Sequence, residues 1–200
     1  MIRAVVFDLG QVLASGEGVY SEPARLLGVD AARFEQLYWT GRRAYDSGGE
    51  DAAYWGPILT ALGRPAAPET IRQLARLDAD LWLRLRPEAR RLLLDVRAAG
   101  RLTAVLSNAP FPLDQGLVDA DFADDVDYWF VSSSMGVTKP DPAAYERVTE
   151  VLELPEADIA FVDDRPANVA GAEAAGWWAH LWRSDADTRA WLVELGVLEA

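Results

Sequence analysis

The stretch "VVFDLGQVL", residues 5–13, decides the fold. Apolar residues run without alternation into Asp8, and Gly10 follows almost at once. A short continuous run ended by a turn signal suits a strand buried on both faces of a parallel sheet. Runs of the same kind recur at residues 102–106 (LTAVL), 128–131 (YWFV) and 159–162 (IAFV), with a fifth at 178–182 (WAHLW). Helical stretches lie between them. "RPEARRLLLDVRAAG" places Pro87 in a first turn, apolar residues at 89, 92, 93 and 96, and Gly100 as a stop. "RPANVAGAEAAG" repeats the device with Pro166 and Gly176. Strand, helix and strand in repetition predict an α/β fold with a Rossmann-like parallel sheet.

Residues 17–85 break the rhythm. They hold no convincing strand, and their patterning predicts helices near 22–28, 30–40, 50–62 and 68–82, separated or flanked by Gly16, Gly18, Gly41, Gly48, Gly49 and Gly63. The expected organisation is therefore an α/β core of residues 1–16 and 86–200, with a small helical cap, 17–85, inserted after the first strand through "SGEG".

Composition narrows the function. Two hundred residues, half of them apolar, suffice for one substantial core. Cysteine is absent and histidine occurs once, at position 180, so neither a thiolate nucleophile nor a Cys/His zinc site can be built. A lone histidine in an apolar run reads as structural, and no Gly-x-Ser-x-Gly elbow accompanies it. The net charge of −13 repels a phosphate backbone, so no nucleic-acid partner is expected. No stretch approaches the ~18 apolar residues of a membrane span, and Asp8 interrupts the N-terminal run, so a cytoplasmic location with no membrane partner is expected. Trp177, Trp178, Trp182 and Trp191 read as the edge of the core or an interface, which leaves monomer and homodimer open. The arginines at 84, 86, 90, 91, 97 and 101 read as a solvated helix face.

In an open α/β sheet the reacting groups gather beyond the carboxyl ends of the strands. Those positions here hold Asp8, then Ser107 and Asn108, then Lys139 in "SSSMGVTKPDPAAYE", then Asp163 and Asp164. Converged, they could hold a divalent cation and a phosphate together. Three neighbouring carboxylates would repel one another unless a proton or a cation intervened.

The segments "VVFDLG", "VLSNAP", "GVTKPDPAAYE" and "FVDDRPANVAGAEAAG" resemble, in order and in character, the four motifs of the haloacid dehalogenase-like hydrolase superfamily. The likeness covers residues 1–16 and 86–182, and the helical block matches in position the small cap of its first subclass. The resemblance implies Mg²⁺-dependent hydrolysis of a small phosphorylated metabolite, such as a sugar phosphate, through an aspartyl-phosphate. It makes Asp8 the nucleophile, Ser107 and Asn108 donors to the transferring group, and Lys139 the charge that neutralises it. It makes Asp8, the backbone carbonyl of Gly10, Asp163 and Asp164 the metal ligands, with Asn168 orienting the carboxylates. The family's phosphatases usually carry a second acid where this chain has Gly10. That acid's proton transfer is typically worth about 10²–10⁴-fold in rate, and the neighbouring Gln11 can donate a hydrogen bond but exchanges no proton. Two rival readings stay open: a catalytically weak or silent protein that binds a phospho-ligand or partner, and a 2-haloacid dehalogenase, in which the same aspartate attacks carbon. The paired acids speak against the dehalogenase. In the cap, Arg42 and Trp39 could contact substrate, or simply pack.

Overall fold

The computed structural model describes residues 1–199. The five apolar runs form strands β1 (Ala4–Phe7), β2 (Leu102–Ser107), β3 (Tyr128–Val131), β4 (Ile159–Asp163) and β5 (Trp178–Leu181). They make one parallel sheet in the order β3-β2-β1-β4-β5. The helices are α1 (Ser21–Leu27), α2 (Ala31–Tyr38), α3 (Arg42–Asp46), α4 (Asp51–Ala61), α5 (Pro68–Trp82), α6 (Pro87–Ala98), α7 (Phe111–Gly116), α8 (Ser132–Met135), α9 (Pro142–Leu152), α10 (Pro166–Ala174) and α11 (Asp185–Glu194). None is long and apolar enough to cross a membrane.

Side chains alternate between the faces of a strand, so each continuous apolar run feeds two cores. Val5, Phe7, Val105, Ala160 and Val162 share one cluster with Leu92, Leu93 and Val96 of α6 and Leu192 of α11. Ala4, Val6, Ala104, Leu106 and Phe161 share the other with Tyr145 and Val148 of α9, Ala172 of α10 and Trp177. Covering both faces is why the central strands β1 and β4 are buried along their length, whereas edge strand β5 is partly exposed. The chain lays down β1, β2 and β3 in one direction and then crosses to β4 and β5 on the other side of β1. The strand order thus reverses at the β1/β4 pair, where the strand ends open a crevice.

Helices α1 to α5 enclose a separate apolar cluster that includes Phe34, Tyr38, Tyr45, Trp55, Leu59 and Leu74. Residues 41–49, where sequence patterning marks only glycines, contain the five-residue α3. So short a helix cannot hold itself together in water. Packing holds it: Tyr45 stacks on Tyr54 with centroids 4.3 Å apart, and Arg42 pairs with Asp46 one turn on at 2.7 Å. Gly41 (φ +75°) and Gly48 (φ +98°) supply the left-handed backbone at its two ends.

The two passages between cap and core are fastened to each other. Ala14 forms an antiparallel bridge with Leu85, and the Arg86 N–H donates to the Leu13 carbonyl at 2.9 Å. The Arg86 side chain also bonds the Val12 carbonyl and Asp185, and lies 5.1 Å over the Trp182 ring. Arg90 holds Asp121 at 2.8 Å and Asp125 at 2.6 Å. These two are therefore ties between α6 and its surroundings rather than members of a solvated face, in a chain whose 32 acidic residues outnumber its 19 basic ones. His180 lies 2.9 Å from Asp187 and stacks on Trp191, a structural setting.

Helix α10 is set against α9 through Gly171. A Cβ there would come within 2.8 Å of the Tyr145 hydroxyl, which donates to the Asn168 carbonyl. The substitution Gly171→Ala is expected to destabilise the protein by about 1–3 kcal/mol through overpacking, read from the midpoint of urea unfolding.

Candidate active site

The crevice at the β1/β4 pair is where backbone pairing delivers the acids. The Asp8 N–H donates to the Val162 carbonyl at 2.8 Å, which pins the end of β1 beside Asp163, the last residue of β4. Between their carboxylates lies the Lys139 ammonium, donating to Asp8 Oδ1 at 2.8 Å and to Asp163 Oδ2 at 2.7 Å. Asp163 is wholly buried and satisfied on both oxygens. Its Oδ1 accepts from the Arg165 backbone N–H at 2.8 Å, and the Asn168 amide reaches both oxygens at 3.0 Å. Asp164, next in the chain, is half-buried and faces a cavity of about 110 Å³.

Asp8, Gly10, Ser107, Asn108, Lys139, Asp164 and Asn168 line that cavity, and Trp39 and Arg42 close it from the cap. Two of these side chains have partners that the sequence does not reveal. The Asn108 Nδ2 donates to the Lys139 carbonyl at 2.9 Å and its Oδ1 accepts from the Lys139 N–H at 2.8 Å, so the amide grips the Lys139 backbone while one amide hydrogen stays available. Arg42, for which substrate contact and packing stood side by side, lines the cavity and is also buried in a cap network. Its Nε donates to Asp46 at 2.7 Å, and one Nη donates to Asp78 at 2.9 Å and to the Tyr38 hydroxyl at 2.5 Å. A guanidinium taken out of water needs such partners. Trp39 keeps 44% of its surface exposed, with the Arg165 guanidinium 5.9 Å from its ring.

Charge in the pocket is unbalanced. Asp8, Asp163 and Asp164 each offer an oxygen within 4.8 Å of the others, and one ammonium lies among them. Burial pushes the Asp8 carboxyl up to about 7, with Asp163 and Asp164 adding to the rise and Lys139 opposing it. Burial and then Asp163 raise Asp164. For Lys139 burial acts to lower the value, but Asp8 and Asp163 together outweigh it, so the ammonium stays charged. A set of hard carboxylate oxygens carrying excess negative charge fits a small divalent cation, which prefers oxygen ligands.

Two residues that sequence reading passes over shape the same cavity. Trp82, the last residue of α5, covers Gly10: a Cβ at position 10 would meet its ring at 3.4 Å, and one at position 16 would meet it at 2.6 Å. The indole is held there by its Nε1 donating to the Tyr38 hydroxyl at 2.9 Å. Asp46 of the cap also faces the cavity. In the sequence Trp82 reads as the apolar end of an amphipathic helix and Asp46 as part of a glycine-rich turn, so neither carries a signal. Gln11 adopts a left-handed backbone (φ +63°), uncommon for a residue with a side chain.

Comparison with known proteins agrees with this arrangement. A family model described as haloacid dehalogenase-like hydrolase matches residues 2–176. A phosphatase of Mycobacterium tuberculosis is 30% identical over 196 residues, covering 94% of this chain and 90% of that protein. An (S)-2-haloacid dehalogenase of Pseudomonas sp. is 28% identical over 189 residues, 88% of this chain and 82% of that one. The structure of L-2-haloacid dehalogenase from Xanthobacter autotrophicus with chloropropionic acid covalently bound has the same fold, with a TM-score of 0.73 at 23% identity over 97% of this chain and 83% of that chain.

Removing one partner of a buried ion pair strands the other charge. Lys139→Met, measured in EDTA, is expected to cost about 3 kcal/mol, lowering Tm by roughly 6–12 °C for a chain of this size. Adding Asp8→Asn to that variant should recover part of the loss, because it deletes one of the stranded negative charges.

Proposed function

The chain belongs to the haloacid dehalogenase-like hydrolase family, and on that premise we propose that it hydrolyses a small phosphomonoester, with Mg²⁺, through an aspartyl-phosphate on Asp8. The observation that carries the reading is the carboxylate trio of Asp8, Asp163 and Asp164 around a single ammonium. Displacement of halide from carbon by Asp8 needs no cation and gains nothing from two further acids. Transfer of a phosphoryl group does, because negative charge accumulates on its oxygens and on the attacking carboxylate. Relatives named as phosphatase and as dehalogenase both occur, so the choice rests on the carboxylates.

In this reading Asp8, Asp163, Asp164 and the carbonyl of Gly10 would hold the cation. When bound it would supply electrostatic stabilisation of the phosphoryl oxygens. The chain's own residues do the remaining work. The Asp8 carboxylate attacks phosphorus, which splits one hard displacement into two easier ones. Lys139 opposes the rise that burial imposes on Asp8, favouring its ionised form, and offsets charge on the transferring group. Asn108 fixes the Lys139 backbone, and Asn168 with the Arg165 N–H keeps Asp163 from rotating. Ser107, at the end of β2, lines the cavity and in this reading donates to a phosphoryl oxygen. Trp39, Arg42 and Trp82 exclude bulk water from above. The small cavity suits a metabolite rather than a polymer.

Phosphate release from a panel of sugar phosphates, nucleotides and acyl phosphates is the direct test. Turnover with Mg²⁺, its loss in EDTA, and a fall of ~10⁴-fold or more in Asp8→Asn are expected. Asp8→Asn turning over as fast as the parent, or halide release from a 2-haloacid in EDTA, would remove the reading.

A further inference from the structure

The chain lacks the acid that would protonate the leaving group from position 10, where the Trp82 indole lies over the glycine at ordinary van der Waals distance from where a Cβ would be. A proton delivered by a side chain therefore comes from another wall of the cavity.

The ionisable side chains on that wall are few. Asp8 and Asp164 belong to the carboxylate trio, and Lys139 is tied between Asp8 and Asp163. The guanidinium groups of Arg42 and Arg165 release no proton in this range. Asp46 remains. It ends α3, and its backbone carbonyl accepts from the Ser132 hydroxyl at 2.5 Å. The same hydroxyl accepts from the Ala109 N–H at 2.9 Å, one residue beyond Asn108, so the cap acid is docked on the loop that follows β2. Its Oδ1 accepts from Arg42 Nε at 2.7 Å, and its Oδ2 accepts no hydrogen bond from the described residues. We propose that Asp46 is the general acid and base of this enzyme, supplied by the cap in place of the residue absent at position 10. The assignment rests on the phosphoryl-transfer reading above.

The chemistry balances. As Asp8 attacks, the bond from phosphorus to the leaving oxygen breaks, and protonated Asp46 gives its proton to that oxygen, releasing the alcohol. The Asp46 carboxylate then takes a proton from water as the water oxygen attacks the aspartyl-phosphate. The phosphorus–Asp8 bond breaks, and inorganic phosphate leaves with Asp8 and protonated Asp46 restored. The surroundings suit both roles. Burial holds the Asp46 carboxyl up to about 6, opposed by Arg42 on its own helix, raised further by Asp78 of α5 and lowered by Arg165 beyond β4. Tyr54 of α4 also faces it. A group poised near the working pH serves as donor and acceptor alike.

The test compares leaving groups that differ in their need for a proton. In Asp46→Asn, kcat/KM for glycerol phosphate should fall by ~10²-fold or more, whereas that for acetyl phosphate, whose carboxylate departs unaided, should fall far less. Asp46→Glu should narrow the gap again. Equal falls for the ester and the acyl phosphate would reduce Asp46 to a structural or binding residue and overturn the assignment, as would no fall at all. Turnover of acetyl phosphate reports that the variant is folded. If the parent protein releases phosphate from neither substrate, the phosphatase reading and this assignment fail together; if it turns over both and the ratio does not move, the assignment alone fails.

Discussion

The Lys139 ammonium, shared between Asp8 and Asp163, is the constraint around which the molecule is arranged. Bringing carboxylates together out of water is costly, and one buried cation offsets only part of the cost. Such a cluster persists because the surrounding covalent and hydrogen-bonded frame leaves it no alternative. Parallel pairing puts the ends of β1 and β4 side by side, Asn108 grips the peptide groups of Lys139, and α10 brings Asn168 under Asp163. These supports do more than add stability. Each holds charge where solvent would otherwise disperse it, which is the preorganisation that electrostatic catalysis requires.

Much of this was legible in the chain because it is local. The strand runs were continuous, the prolines and glycines marked the helices, and the acids stood at strand ends, so the α/β sheet and the convergence of Asp8, Lys139, Asp163 and Asp164 could be read from patterning together with the family resemblance. What escaped is relational. Short α3 has no self-sufficient helical signal and exists because Tyr45 and Arg42 find partners in α4 and α5. That Asn108 also grips the Lys139 peptide groups is invisible until the two loops meet. Trp82 and Asp46 lie 72 and 38 residues along the chain from Gly10 and Asp8 and meet the site only through the packing of the cap. No periodicity encodes such meetings.

Relatives named as phosphatase and as dehalogenase share this scaffold, so the scaffold does not choose between attack on phosphorus and attack on carbon. The choice lies in a few side chains. Asp163 and Asp164 concentrate negative charge beside Asp8. Position 10 carries no side chain, and the Trp82 ring lies over it.

The bridge between Ala14 and Leu85 has a mechanical corollary. The helical unit is therefore clamped at two separate places: at its base, where Trp82 lies three residues before Leu85, and at Asp46, whose backbone carbonyl accepts from the Ser132 hydroxyl. Any movement that widens the cavity over Gly10 while the base holds has to break the second clasp.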